Sequence, residues 1–141
     1  AVMRFTRAGK KCSFFRDTNS QLMTSAILSK KDVIIGISNS GDTVAVANAL
    51  KTAQENGATA IGITAFSDSL LAKNSEITLF SSGNTVKSKS SVDAFENTTS
   101  KISQLLVIDI LYSLFAAQNQ TKVKKHLEKT YEAVSHTRIK N

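Results

Sequence analysis

Apolar and polar positions along the chain follow two distinct periods. "VIIGI", Val33–Ile37, and "TAIGIT", Thr59–Thr64, are continuous, largely β-branched runs with no regular polar alternation. Each predicts a strand of a parallel sheet buried on both faces. "EITLF", Glu76–Phe80, predicts a third. Between the first two, Thr43–Asn56 reads as a helix whose stripe is Val44, Val46, Ala47, Leu50 and Ala53. Asn56-Gly57 punctuates its end. "SLLAKN" predicts a short helix before the third strand. The order strand, helix, strand, helix, strand is the pattern of consecutive right-handed parallel crossovers in a doubly wound sheet.

The flanks are helical in period. Residues 1–8 read as the end of a helix closed by Gly9, and "KCSFF" as a short strand. A helix is expected from about Asp17 to Leu28, with Leu22, Ala26 and Ile27 at helical spacing and Asp17, Thr18 or Ser20 as its cap. Ser81–Ser91 is a polar loop. A long helix follows over roughly Val92–Gln118, with Ile102, Leu105, Leu106, Ile108, Ile110, Leu111, Leu114 and Phe115 on more than one face. That breadth predicts burial on several sides, against the sheet and another subunit. The last helix is mostly polar, with one thin stripe of Val123, Leu127, Tyr131 and Val134.

Composition narrows the class. The chain has 141 residues, 41% hydrophobic and 21% charged, enough for one domain with a packed core. Its single cysteine, Cys12, excludes an internal disulfide and is expected to be a small buried residue beside Phe14. The apolar run around Leu105–Leu111 is interrupted by Asp109 and is too short to span a bilayer, and no signal-peptide pattern is present. The cytoplasm is therefore the expected compartment, with no membrane partner. Net charge is +7, and it belongs to the ends: residues 1–17 and 122–141 each carry net +4, whereas 18–121 carry net −1. Solvated helix faces account for this better than single-strand nucleic-acid binding, because no aromatic residues interleave with the basic ones.

The chemistry concentrates in "SNSGDT", between the first strand and the helix after it. In open parallel sheets, ligands bind at the carboxyl edge. The first turn of a helix presents unpaired N–H groups and a positive dipole end, which attract an anion. Ser38, Ser40 and Thr43 offer hydroxyls, Asn39 an amide, and Gly41 a backbone free to approach closely. With no Lys or Arg in the loop, backbone and hydroxyl dipoles would carry the binding, which suits a phosphate monoester. Against this stands a plain turn with Asp42 or Thr43 as helix cap, and on the residues alone the two readings are level. Neither a Walker loop nor a dinucleotide fingerprint is present. One Cys and two distant His make no metal site, and no cofactor is expected.

"DVIIGISNSGDT", "AQENGATAIGIT" and "SLLAKNSEITL" together resemble the SIS (sugar isomerase) domain, a phosphosugar-binding module. The resemblance spans nearly the whole chain. "RAGKKC", "SKISQLLVIDILYSLFA" and "LEKTYEAVSHTR" make it closest to the SIS domains of RpiR-type bacterial transcriptional regulators. It implies an α/β fold: a three-layer, flavodoxin-like parallel sheet with helices on both faces. It implies one SIS domain over residues 1–141, lacking its first strand and any N-terminal helix-turn-helix domain. Carried over residue by residue, Ser38, Asn39, Ser40 and Thr43 match the family's phosphate loop, Gly41 its turn, and Ser69 a position that often contacts the sugar. Leu70 stands where the family usually has proline.

The function so implied is a phosphosugar-sensing and dimerisation domain of a regulator. It would have no catalytic residue, would form a homodimer or higher homo-oligomer, and would reach DNA through the absent helix-turn-helix domain. The alternative is a sugar-phosphate aldose–ketose isomerase, which needs a general base near the substrate. Glu96, His126 and His136 are its candidates, each also readable as an ordinary surface residue. A dimerisation module with a vestigial pocket is the third reading.

Overall fold

A computed structural model describes residues 1–81, 98–135 and 137. The chain divides into two compact units. One is Phe15–Val107, and the other joins Ala1–Phe14 to Ile108–Asn141.

Within 15–107, three strands form a parallel sheet in the order β1-β2-β3: β1 (Val33–Ile37), β2 (Thr59–Thr64) and β3 (Ile77–Phe80). The crossover helices are α3 (Val44–Glu55) and α4 (Leu70–Lys73), and α2 (Thr18–Ala26) packs on α3. The α/β class, the parallel sheet and the alternating order are as the hydrophobic pattern predicts. The core forms where α3 and α4 lie on the sheet: Ala47, Leu50, Ala60 and Leu71 are fully buried, with Ile34 and Val46 packed against them. Small residues let helix and sheet approach. Gly36 pairs with Gly62 in register, and a Cβ at Gly36 would sit 3.0 Å from the Leu50 side chain.

The strand expectation holds on one face only. Ile34 and Gly36 turn towards α3, whereas Val33, Ile35 and Ile37 stay 59%, 41% and 40% exposed. Within this unit, α2, α3 and α4 layer on the opposite side, so alternation along β1 separates a packed face from an open one. At the end of α3, Asn56 donates its side-chain amide to the Ser25 and Ala26 carbonyls at 3.3 and 3.2 Å, tying the helix to α2. Asp17 is the α2 cap, accepting from the Ser20 amide at 2.8 Å. The expected stripe on α2 is not the buried face: Ser25 is its buried residue, and Ile27 is 82% exposed. Ser25 can be buried against α3 without an unpaired hydroxyl, since it donates to the Leu22 carbonyl at 2.8 Å.

The unit 1–14 with 108–141 contains α1 (Val2–Arg7), the later part of α5 (Thr98–Gln118) and α6 (Gln120–Ser135). Phe5 packs edge-on against Tyr112 and at a tilt against Phe115, and Arg4 pairs with Asp109 while lying over the Tyr112 ring. "KCSFF" forms no strand, and Cys12 is exposed, with Phe14 69% exposed. The segment finds no neighbouring strand among the described residues, so β propensity alone does not order it. Against the expectation from the run Leu105–Leu111, the helix segment Ser100–Gln118 has the length and apolar composition of a membrane span, because it continues past Asp109. The contacts of Asp109, Tyr112 and Phe115 are those of a helix packed in a folded body. Its Ile102, Leu105, Leu106, Ile110 and Leu114 are 50–62% exposed rather than buried on several sides. On α6, Val123 is buried, whereas Tyr131 and Val134 are exposed.

Charge follows the same division. This unit holds ten basic and three acidic residues, the whole net +7, and the unit 15–107 is balanced at eight of each. Most of the basic charge at both ends of the chain thus falls in one unit.

Candidate functional site

The loop "SNSGDT" leaves β1 at the carboxyl edge of the sheet and enters α3. The Ser38 amide donates to the Ile63 carbonyl at 3.1 Å, prolonging the sheet by one bond. Its hydroxyl, in a residue 8% exposed, lies 2.9 Å from Thr43 Oγ1 and accepts from the Gly41 amide at 3.1 Å. The loop therefore closes on itself through Ser38. Asn39 is held by its backbone: its carbonyl accepts from the Ala65 amide at 3.0 Å and from Thr64 Oγ1 at 3.2 Å. Asn39, Ser40 and Thr43 themselves are exposed.

Gly41 turns the chain with φ +69. It packs so closely on α4 that a Cβ there would lie 2.2 Å from Ser69 Oγ. Its carbonyl accepts from the Leu71 amide at 2.7 Å. The position needs glycine for both conformation and space.

The N-terminus of α3 is open. Thr43 occupies the cap position, but among the described residues no side chain caps the helix, and the Thr43 hydroxyl is paired with Ser38 instead. The first turn keeps its outward amides and the positive end of the dipole. Asp42, which would repel an anion if it faced inward, instead accepts from the Leu70 amide at 3.2 Å with Oδ1. That carboxylate is engaged at the start of α4. Ser69 is the α4 cap and is fully buried. Its hydroxyl donates to the Phe66 carbonyl at 2.7 Å and accepts from the Ala72 amide at 3.3 Å.

The structure thus gathers Ser38, Asn39, Ser40, Gly41, Thr43 and Ser69 around one strand-to-helix junction. It sorts them by depth: Asn39, Ser40 and Thr43 outside, Ser38, Gly41 and Ser69 beneath. Two contributors were not anticipated. Thr64 is fully buried and braces the Asn39 carbonyl, and a polar residue ending a buried strand was the available signal. Gln104 on α5 donates to Asn39 Oδ1 at 3.4 Å, and nothing in the apolar sequence around it marks it.

His126 belongs to the other unit, where it is exposed and packed against Gly9. Glu96 and His136 lie outside the described residues. Among the described residues no group of three His, Cys, Asp or Glu side chains could hold a metal.

Residues 1–114 match the SIS domain. The chain is 39% identical over 141 residues, its whole length and 48% of the relative's, to an uncharacterized HTH-type transcriptional regulator of Caldanaerobacter subterraneus. It is 27% identical over 127 residues to the HTH-type transcriptional regulator RpiR of Escherichia coli, covering 90% of this chain and 41% of the relative. It spans about half the length of the curated relatives it matches. Among solved structures, Vibrio vulnificus NanR in complex with ManNAc-6P superposes with a TM-score of 0.83 at 23% identity, over 99% of this chain and 50% of that one. The sugar isomerase domain of an RpiR transcription factor from Sphaerobacter thermophilus superposes with a TM-score of 0.72 at 18% identity, over 93% and 69%. With a match over more than three-quarters of its length and a parallel sheet of the expected order, this chain belongs to the SIS domain family.

Proposed function

We propose that this chain is the effector-binding domain of an RpiR-type transcriptional regulator of sugar metabolism, and that its effector is a sugar phosphate. One observation carries the reading. The first turn of α3 opens beside the exposed Ser40 and Thr43 without a capping side chain, while the Asp42 carboxylate is engaged at α4. The phosphate takes the first-turn amides and the Ser40 and Thr43 hydroxyls, with Asn39 beside it. Ser38, Gly41 and Ser69 shape this seat from below.

The regulator half is supported by the names of the relatives, and the ligand half by the phosphosugar in the NanR complex. The domain acts without catalysis in the cytoplasm. It works as a homodimer or higher homo-oligomer, for which the exposed Ile102, Leu106 and Ile110 on α5 offer an apolar seam. DNA is met by a helix-turn-helix domain beyond these 141 residues, a reading supported by the names of the relatives and their partial coverage. Ligand binding shifts the oligomer between arrangements and so changes the spacing of its DNA-binding heads.

Titration calorimetry with hexose and pentose phosphates tests the site. The Ser40→Ala/Thr43→Ala double variant abolishes binding while its melting transition persists. Unchanged affinity would sink the site assignment, and turnover of any of these compounds would favour the isomerase.

A further inference from the structure

Among the described residues of the unit 15–107, two buried hydroxyls have no hydrogen-bond partner: Ser81 Oγ, 4% exposed, and Ser100 Oγ, 3% exposed. An unpaired buried hydroxyl is costly, so such groups in native proteins call for an explanation. Their positions supply one.

Ser81 directly follows β3, and its amide donates to the Thr64 carbonyl at 2.9 Å. Thr64 in turn holds the Asn39 carbonyl through its own hydroxyl. Ser81 is therefore at the same carboxyl edge as the phosphate loop, joined to it by two consecutive hydrogen-bonded steps. It lies across two strand spacings from β1, about 10 Å.

Ser100 approaches from α5. It is one turn from Gln104, at i and i+4, and so shares its helix face. That face is turned to the loop, because Gln104 donates to Asn39 Oδ1 at 3.4 Å.

We infer that Ser81, Ser100 and Gln104 form the sugar-recognising rim of the site, binding ring or chain hydroxyls of the ligand whose phosphate sits on the α3 N-terminus. This rests on the phosphosugar reading above and adds which residues read the sugar. A serine hydroxyl both donates and accepts, as does a sugar hydroxyl, so each pair satisfies both members. Gln104 exchanges its 3.4 Å contact with Asn39 for a ligand hydroxyl. The two orphan hydroxyls are a preformed demand for polar atoms that the apo protein leaves unmet. A bare phosphate, held by the loop alone, does not meet it. Discrimination among sugar phosphates falls to this rim, because the loop sees only the phosphate they share. Two of its three members are on α5, so sugar recognition pulls on the helix that carries the exposed apolar positions.

The experiment uses the 141-residue chain with Ser81→Ala, Ser100→Ala and Gln104→Ala, each titrated with inorganic phosphate, glucose 6-phosphate, fructose 6-phosphate and N-acetylmannosamine 6-phosphate. Thermal melting without ligand is recorded in parallel. The inference expects Ser81→Ala and Ser100→Ala to melt at or above the parent temperature, because each removes an unsatisfied buried group. It expects each of the three variants to bind the best of the sugar phosphates about five-fold more weakly, the loss of one net hydrogen bond. Affinity for inorganic phosphate stays unchanged. Parent-like sugar-phosphate affinity in all three variants overturns the rim while leaving the phosphate loop standing. A clear drop in apo melting temperature for both serine variants also overturns it, since the hydroxyls would then be structural. Failure of the unaltered chain to bind any sugar phosphate overturns the rim and the phosphosugar reading together.

Discussion

Gly41→Ala is the most exacting test of how the loop is built. The residue has φ +69, a conformation that costs a residue with a Cβ about 1–2 kcal/mol. The new Cβ would also lie 2.2 Å from Ser69 Oγ, 2.4 Å from Ser69 Cβ and 2.6 Å from Thr64 Oγ1. Neither neighbour is free to swing away. Ser69 and Thr64 are fully buried, and each hydroxyl is held by two hydrogen bonds, Ser69 between Phe66 and Ala72, Thr64 between Asn39 and Phe66. Forcing extra volume into such a site costs about 1–3 kcal/mol. Together the two effects amount to about 3 kcal/mol, a large share of the ~5–15 kcal/mol that stabilises a typical domain. The melting temperature should fall by on the order of 10 °C. Gly57→Ala separates the two causes. It has φ +86, but its nearest neighbour, Lys30, is 3.8 Å from the new Cβ, so only the conformational cost of about 1–2 kcal/mol applies. Urea denaturation of both variants, read by circular dichroism, should place Gly41→Ala at least ~1 kcal/mol below Gly57→Ala with equal slopes. Equal losses would refute the packing of Gly41 on α4.

Asn56→Ala removes both bonds from α3 to the end of α2 and should cost about 1–2 kcal/mol in the same denaturation assay; a change below ~0.3 kcal/mol would mean that water replaces them freely. Ser38→Ala takes away the hydroxyl shared with Thr43 and the acceptor for the Gly41 amide, and should cost about 1 kcal/mol while weakening phosphate binding, measured by denaturation and calorimetry. The Ser20 backbone amide, and then its side chain, hold the Asp17 carboxyl below its ordinary value of 3.8. Its folded pKa is depressed, so the stability it contributes is present above the unfolded value and is lost as pH falls through the folded one. Asp17→Asn should therefore flatten the acid limb of the stability profile below about pH 4, seen as a shallower fall of the melting temperature; an unchanged limb would remove the cap from the account.

Much of this was legible without coordinates. β1 and β2 begin and end where the β-branched runs do, because such a run bounded by turn residues has few other ways to hide its side chains. Asp17 and Thr43 mark the starts of α2 and α3, since short polar side chains favour the position before a helix. The loop residues were legible as a set because a hydroxyl-rich turn between a strand and a helix is a local property. What local pattern did not contain was the use of each group. Asp42, readable as a cap of α3, is engaged at α4. Ser69 looked like a contact residue and is fully buried. Cys12 looked buried and is exposed.

The sequence by itself determined the order of strands and helices, the position of the hydroxyl-rich loop within that order and the family, because these depend on periods and motifs of neighbouring residues. The tertiary structure decided which hydroxyls face outward, which face of β1 is packed, and that most of the basic charge at both ends of the chain falls in one unit. It also brought Gln104, and by helical spacing Ser100, to a loop more than 60 residues away in sequence. Such pairings arise from the packing of elements distant along the chain, and a local pattern records only what neighbours in sequence do.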